Sequence, residues 1–266
     1  MNSLTQRLRR KPHIPILRLD GVIASGGRVS STLSDRALAP VIERAFARKP
    51  KAVALAINSP GGSPTQSALI AARIRRLADE KNVPVIAFCE DVAASGGYWL
   101  AVAADEIYAD ANSILGSIGV ISASFGLHEL IGRYGIERRV HTAGEDKSML
   151  DPFRPERAED IARLKDLQAT IHQNFKDHVT DRRGAKLSQD KDLFTGEVFL
   201  AARAKDLGLI DGIGHLYPVM TEKFGKDVRF VEPKPKRGLL TRLGVPGAED
   251  VLAAAERRLA FARFGL

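Results

Sequence analysis

The chain has 266 residues, 44% of them hydrophobic and 27% charged, with a formal net charge of +8. This composition excludes a disordered or collagen-like polypeptide, and a single cysteine, Cys89, excludes an internal disulfide and a cysteine-based zinc site. The basic residues are scattered and not interleaved with aromatics, so no nucleic-acid partner is expected, and no apolar run approaches the length of a membrane span.

The N-terminal stretch "MNSLTQRLRRKPHIPILRLDGVI" opens on a basic segment, residues 1–13. Pro12, His13 and Pro15 interrupt it before any apolar signal region begins, so a cytoplasmic protein is expected, at most peripheral at the inner face of a membrane. Residues 14–22 read as a strand and 34–47 as a helix. Residues 51–57 form a continuous apolar run, as in a strand buried on both faces. Ser63, Pro64 and Gln66 then open a helix to about residue 81, with Ser63 as N-cap and Gln66 closing a capping box. Residues 83–88 read as the next buried strand, 96–104 as a short apolar helix and 107–109 as a further strand.

Residues 125–134 read as a helix ended by Gly135, and 138–141 as a strand. A long amphipathic helix over 155–183 stops at Gly184, and another over 197–207 stops at Gly208. Strands and helices alternate, which predicts an α/β fold with a mainly parallel sheet and flanking helices. The proline- and charge-rich stretch 232–238 reads as a linker after a domain over 14–231. The tail, 239–266, carries an amphipathic helix over 249–264. Packing on the domain or a neighbouring subunit is favoured over lying on a membrane, since such apolar stripes usually belong to a core.

Chemistry concentrates in two glycine pairs, "INSPGGS" (residues 57–63) and "AASGGYWL" (residues 93–100), each following a buried strand. Glycines let a substrate approach the backbone, and free N–H groups at such turns can hold an oxyanion. The same features also suit a phosphate cradle or a plain tight turn. Ser95, directly before Gly96 and Gly97, has the setting of a nucleophile at a strand-to-helix turn, although no Gly-x-Ser-x-Gly pattern is present. One N–H from each turn, Gly62 and Gly96, would bracket a substrate carbonyl. A serine nucleophile needs a base. His128, His172 and His178 read as solvated helix positions. Lys147, in the loop "GEDKSMLDPFRPE" (residues 144–156), is the alternative, but Glu145 and Asp146 beside it oppose the neutral form a base requires. Spacing alone does not choose between them.

Together, "INSPGGS", "AASGGYWLAVAADEIYADANSILGSIGV" and "GEDKSMLDPFRPE" resemble the S49 peptidases, the family of signal peptide peptidase A and the SohB-type proteases, over residues 14–216. The resemblance implies a ClpP/crotonase-like α/β fold and peptide-bond hydrolysis by a Ser-Lys dyad. It matches Ser95 to the nucleophile and Lys147, 52 residues on, to the general base. Ser117, in "LGSIGV", matches the serine that hydrogen-bonds the lysine. Gly62 and Gly96 match the oxyanion hole, with Gly61 able to share it, and Gly61, Gly97 and Gly119 are expected along the bound substrate. No metal or organic cofactor is expected. The substrates implied are short or unfolded peptides, signal-peptide-like ones among them, and the assembly implied is a homo-oligomeric ring.

The N-terminal membrane anchor of many family members has no match here, and the tail after residue 231 is not part of the resemblance. Any membrane contact expected is peripheral, through the C-terminal helix. Four rivals are weaker. They are a crotonase-type acyl-CoA enzyme, a Ser-His enzyme using His128, a non-catalytic peptide-binding ring scaffold, and Cys89 as nucleophile.

Overall fold

The computed structural model describes residues 12–25, 32–144, 147–189, 191–233 and 248–266. Most of the basic segment and of the 232–238 linker lie outside these residues. The chain divides into two compact units, one of residues 1–118 with 176–266, the other of residues 119–175. The second unit is thus a single insertion within the 14–231 stretch.

The first unit is built on a sheet whose path runs β10 (Arg229–Val231), β1 (His13–Asp20), β4 (Val53–Ser59), β5 (Val85–Ala94), β6 (Glu106–Ala109) and β9 (Gly212–Ile213). The tip of β5 also pairs with β7 (Ile114–Gly116), which pairs with β8 (Val198–Leu200). All these pairings are parallel except β7 with β8. Central β4 is buried on both faces, as its unbroken apolar run requires. One face, carrying Ile14, Ile16, Ala54, Ala56, Ile86 and Phe88, packs on Met220 of α7 (Leu216–Phe224). On the helical side, α2 (Pro64–Lys81) buries Ile70, Ile74 and Leu77. Next to it lies α3 (Gly96–Val102), every residue of which is buried. In front of α2 lies α1 (Asp35–Ala45), tied to it by a two-bond pair from Arg73 to Asp35 at 2.6 and 2.8 Å that holds the Asp35 carboxyl below its ordinary range.

Ser63 caps α2 as the sequence predicts, accepting from the Gln66 N–H at 3.3 Å. The capping box does not close, however. The Gln66 side chain accepts from the Asp35 N–H at 2.9 Å, while the Ser63 N–H donates to Ile23 O at 2.7 Å. A long-range partner for each group has displaced the local exchange. Two further expectations are corrected. Residues 138–141 form no strand and are mostly exposed, so no sheet neighbour orders them. Residues 197–207 are no single helix: β8 precedes the short α6 (Ala201–Asp206), because β7 offers a pairing edge there. The tail helix α8 (Ala248–Ala262) packs on its own domain. Phe261 is buried against Val92 and Ala94 of β5, and Arg257 reaches Asp20 at 3.0 Å.

The second unit holds α4 (His128–Arg133) and most of α5 (Ala158–Arg183), which begins three residues later than the sequence pattern suggests. Few of its side chains are buried; Ile121 and Phe125 are 76% and 82% exposed.

Candidate active site

The site follows from how β5 ends. Pairing with β4 runs regularly to Cys89 opposite Ile57, then resumes two residues out of step at Ala93 opposite Ser59. The extra residues, Glu90 and Asp91, form an exposed bulge that re-aims the strand tip. Asn58 pins it, donating to the Asp91 carboxylate at 2.8 Å and accepting from the Val92 N–H at 3.3 Å. Beyond the bulge the tip leaves β6 and pairs with β7, so the Ser95 N–H donates to Gly116 O at 2.8 Å.

Ser95 is the N-cap of α3, yet its hydroxyl makes no capping bond. Its backbone sits at φ 52° and ψ −121°, a conformation costly for any residue with a Cβ. A serine held there, half-buried and with its oxygen not spent on the helix, is poised for chemistry. Directly behind it, the first-turn N–H groups of α3, that of Gly96 first, are left without intrahelical partners.

The other glycine turn fits against this one backbone to backbone. A methyl placed on Gly61 would lie 2.8 Å from both Gly96 N and Ser95 Cβ, and one on Gly97 2.3 Å from Ser59 O. A methyl on Gly96 would lie 2.4 Å from the Oγ of Ser67, a buried residue of α2, and 3.3 Å from Gly62 N. Gly62 in turn bridges Ile23 of the short β2 (Val22–Ile23), which pairs with β3 (Thr32–Leu33). That bridge uses the Ile23 N–H, to Gly61 O, and the Ser63 N–H, to Ile23 O, leaving the Gly62 N–H outside the ladder. The Gly61 N–H is already bonded to Ser59 Oγ at 3.2 Å, which leaves Gly62 as the donor of this turn. The arrangement brings Ser95 and the Gly62 and Gly96 N–H groups into one cluster, with Gly61 and Gly97 as its close-packed backing.

Ser117 comes directly after β7. It follows Gly116, whose carbonyl holds Ser95, and its own N–H donates to Glu197 O at 2.7 Å. Its φ of 51° is again that of a strained turn. Gly119 and Lys147 belong to the second unit, Gly119 as its first residue and Lys147 in a turn with its side chain exposed. Glu145 and Asp146 lie outside the described residues.

Two of the other candidate residues, Cys89 and His178, lie in the first unit. Burial pushes the Cys89 thiol up to about 12, so it stays protonated and inert. His178 is no solvated helix residue. It stacks on Trp99 at 5.0 Å and bonds Trp99 O at 3.1 Å, and burial lowers its pKa. Sequence reasoning missed Ile23, Ser59 and Ser67. The only local signal for any of them was Ser59 two residues before Gly61, the spacing at which a serine oxygen accepts from the backbone of a turn.

Comparison with known proteins settles the family. The model for peptidase family S49 matches residues 78–226. The chain belongs to peptidase family S49. The sheet described above is accordingly the ClpP/crotonase-like fold, mainly parallel with flanking helices. Among relatives, the chloroplastic serine protease SPPA of Arabidopsis thaliana is 34% identical over 77% of this chain and 31% of that protein. A probable protease SohB of Haemophilus influenzae is 29% identical over 77% of this chain and 58% of its own length. A Brucella melitensis protein named Na(+)/H(+) antiporter NhaA is 48% identical over 95% of this chain, but the chain spans 37% of that protein's length. Its name describes a much longer polypeptide, and no helix among the residues described here is long and apolar enough to cross a membrane. The S49 match takes in Ser95, Gly96, Ser117 and Lys147 and begins after Gly62.

Proposed function

We propose that this S49 member is a serine endopeptidase that hydrolyses short or unfolded peptides with a Ser95–Lys147 dyad. The observation that carries the reading is the uncapped, strained Ser95 beside two free backbone N–H groups. Ser95 Oγ attacks the scissile carbonyl, and neutral Lys147, oriented by Ser117, takes its proton. The Gly62 and Gly96 N–H groups hold the oxyanion. Collapse of the tetrahedral intermediate breaks the C–N bond, and Lys147 returns the proton to the leaving amine. Water, deprotonated by the same lysine, then attacks the acyl carbon, and as the bond to Ser95 Oγ breaks the lysine passes the proton back to that oxygen. Because a lysine acts as base only when neutral, the rate is expected to climb toward alkaline pH.

Relatives named as proteases support the peptidase reading, and signal-peptide-like segments are among the substrates to try. A crotonase-type acyl-CoA enzyme would use the same paired N–H groups, but it has no need of a serine held at a costly φ. Assembly with further copies of the chain is part of the proposal, supported by the apolar Ile121, Phe125 and Tyr134 that the second unit leaves exposed. The deciding experiment incubates wild type and Ser95→Ala with denatured casein and signal-peptide-like peptides and reads the products by mass spectrometry. Cleavage by wild type alone is expected. Equal cleavage by both would remove Ser95 from the mechanism, and peptide retention without cleavage would favour a binding scaffold.

A further inference from the structure

We infer that Ser59 is a positioning residue of the oxyanion site. Its hydroxyl fixes the peptide that aims the Gly62 N–H, and its backbone fixes the turn that aims the Gly96 N–H. The inference rests on the peptidase reading above.

Three observations carry it. Ser59 is the last residue of β4 and fully buried, so its hydroxyl has no bulk water to bond and must be satisfied within the protein. Its Oγ accepts the Gly61 N–H at 3.2 Å, closing a side-chain-to-backbone turn around Pro60. That bond commits the Gly61 N–H and so fixes the orientation of the next peptide, whose N–H belongs to Gly62. Finally, Ser59 touches the other glycine turn directly. A methyl on Gly97 would lie 2.3 Å from Ser59 O and 3.1 Å from Ser59 Cβ. One residue is therefore keyed to both donors. Gly61 has φ +100° and Gly62 φ +143°, where a backbone without side chains has wide freedom. Without the Ser59 bond, the Gly61 N–H would have to turn toward another acceptor, and its peptide would turn with it.

The role is separable from folding because Ser59→Ala keeps the Cβ packed on Gly97 and removes only the acceptor. Loss of a whole oxyanion donor costs about 10²–10³ in rate, so a donor that is misaimed and not deleted is expected to cost about 10–100-fold in kcat. The readout is a peptide aldehyde matching the residues before the strongest cut in denatured casein. Its hemiacetal with Ser95 places an oxygen in the oxyanion position; the control is the corresponding product peptide with its C-terminal carboxyl replaced by hydrogen, which places none there.

In Ser59→Ala, aldehyde affinity is expected to fall by the same factor as kcat/KM, with KM and control-peptide affinity within about twofold of wild type. Wild-type kcat and aldehyde affinity in Ser59→Ala, with Ser95→Ala inactive, would overturn the inference and leave the peptidase reading standing. Equal losses of aldehyde and control-peptide affinity would also overturn it, since that is general loosening of the groove. Undiminished cleavage by Ser95→Ala would overturn both.

Discussion

Ser95 occupies a backbone conformation that glycine reaches freely, and on the proposed mechanism this sets function against stability at a single residue. The strain at φ 52° is of the order that costs about 1–3 kcal/mol, part of which glycine's greater unfolded-state entropy would return. Ser95→Gly is therefore expected to abolish peptide cleavage while raising stability by about 1 kcal/mol, which corresponds to about 2–4 °C in Tm for a domain of this size. Differential scanning calorimetry beside the casein assay checks it, and an unchanged or lowered Tm would show that the turn is not strained. At this scale the sequence was partly legible. Ser95, Gly62 and Gly96 stand out because glycine pairs after buried strands are rare. Ser59 does not, because its role depends on meeting Gly97, which lies 38 positions away.

Helix α5 and helix α3 meet at His178 and Trp99, and that junction titrates. Burial, the largest influence, lowers the His178 pKa, with the nearby Arg182 charge adding to it and the bond to Trp99 O opposing it. The folded state therefore binds fewer protons than the unfolded one just below histidine's ordinary value. Stability contributed here is complete above about pH 6.5 and is lost as the pH falls from there toward the lowered folded value. In urea titrations between pH 7.5 and 5, His178→Gln is expected to flatten the decline. An unaltered slope would assign the acid sensitivity to other groups. The elements that sequence predicted well are those with long apolar runs or capping signals, such as β4 and α2; of β5 it found only the stretch to residue 88 and missed the tip to Ala94, where the bulge breaks the apolar run. Among those it missed, which include α7, β9 and β10, the strands β7 and β8 are three residues long and carry no period. They exist because the bulge at Glu90 and Asp91 turns the tip of β5 toward a new neighbour. The false strand at 138–141 is the same lesson inverted, since a strand-like composition without a partner edge stays irregular.

Across the whole molecule, the sheet is closed at one margin by chain segments far apart in sequence. His13 pairs with Arg229 and Pro15 with Val231. A chain ended after residue 233 keeps β10 and loses, among the described elements, only α8. It is expected to refold from urea in good yield. A chain ended after residue 224 leaves that margin of β1 open and is expected to scatter light on refolding, as unpaired edges do. Equal yields would show β10 to be dispensable. The pairing also bears on how the protein is made. During translation β1 leaves the ribosome well before β10, since His13 and its partner Arg229 are 216 positions apart, so that edge stays uncovered while the segment between them is made. Parallel pairings of such separation form slowly and leave the nascent chain exposed to mispairing in the interval. Whatever shields the margin of β1 during that interval, a chaperone included, is expected to raise the share of chains that reach the folded state.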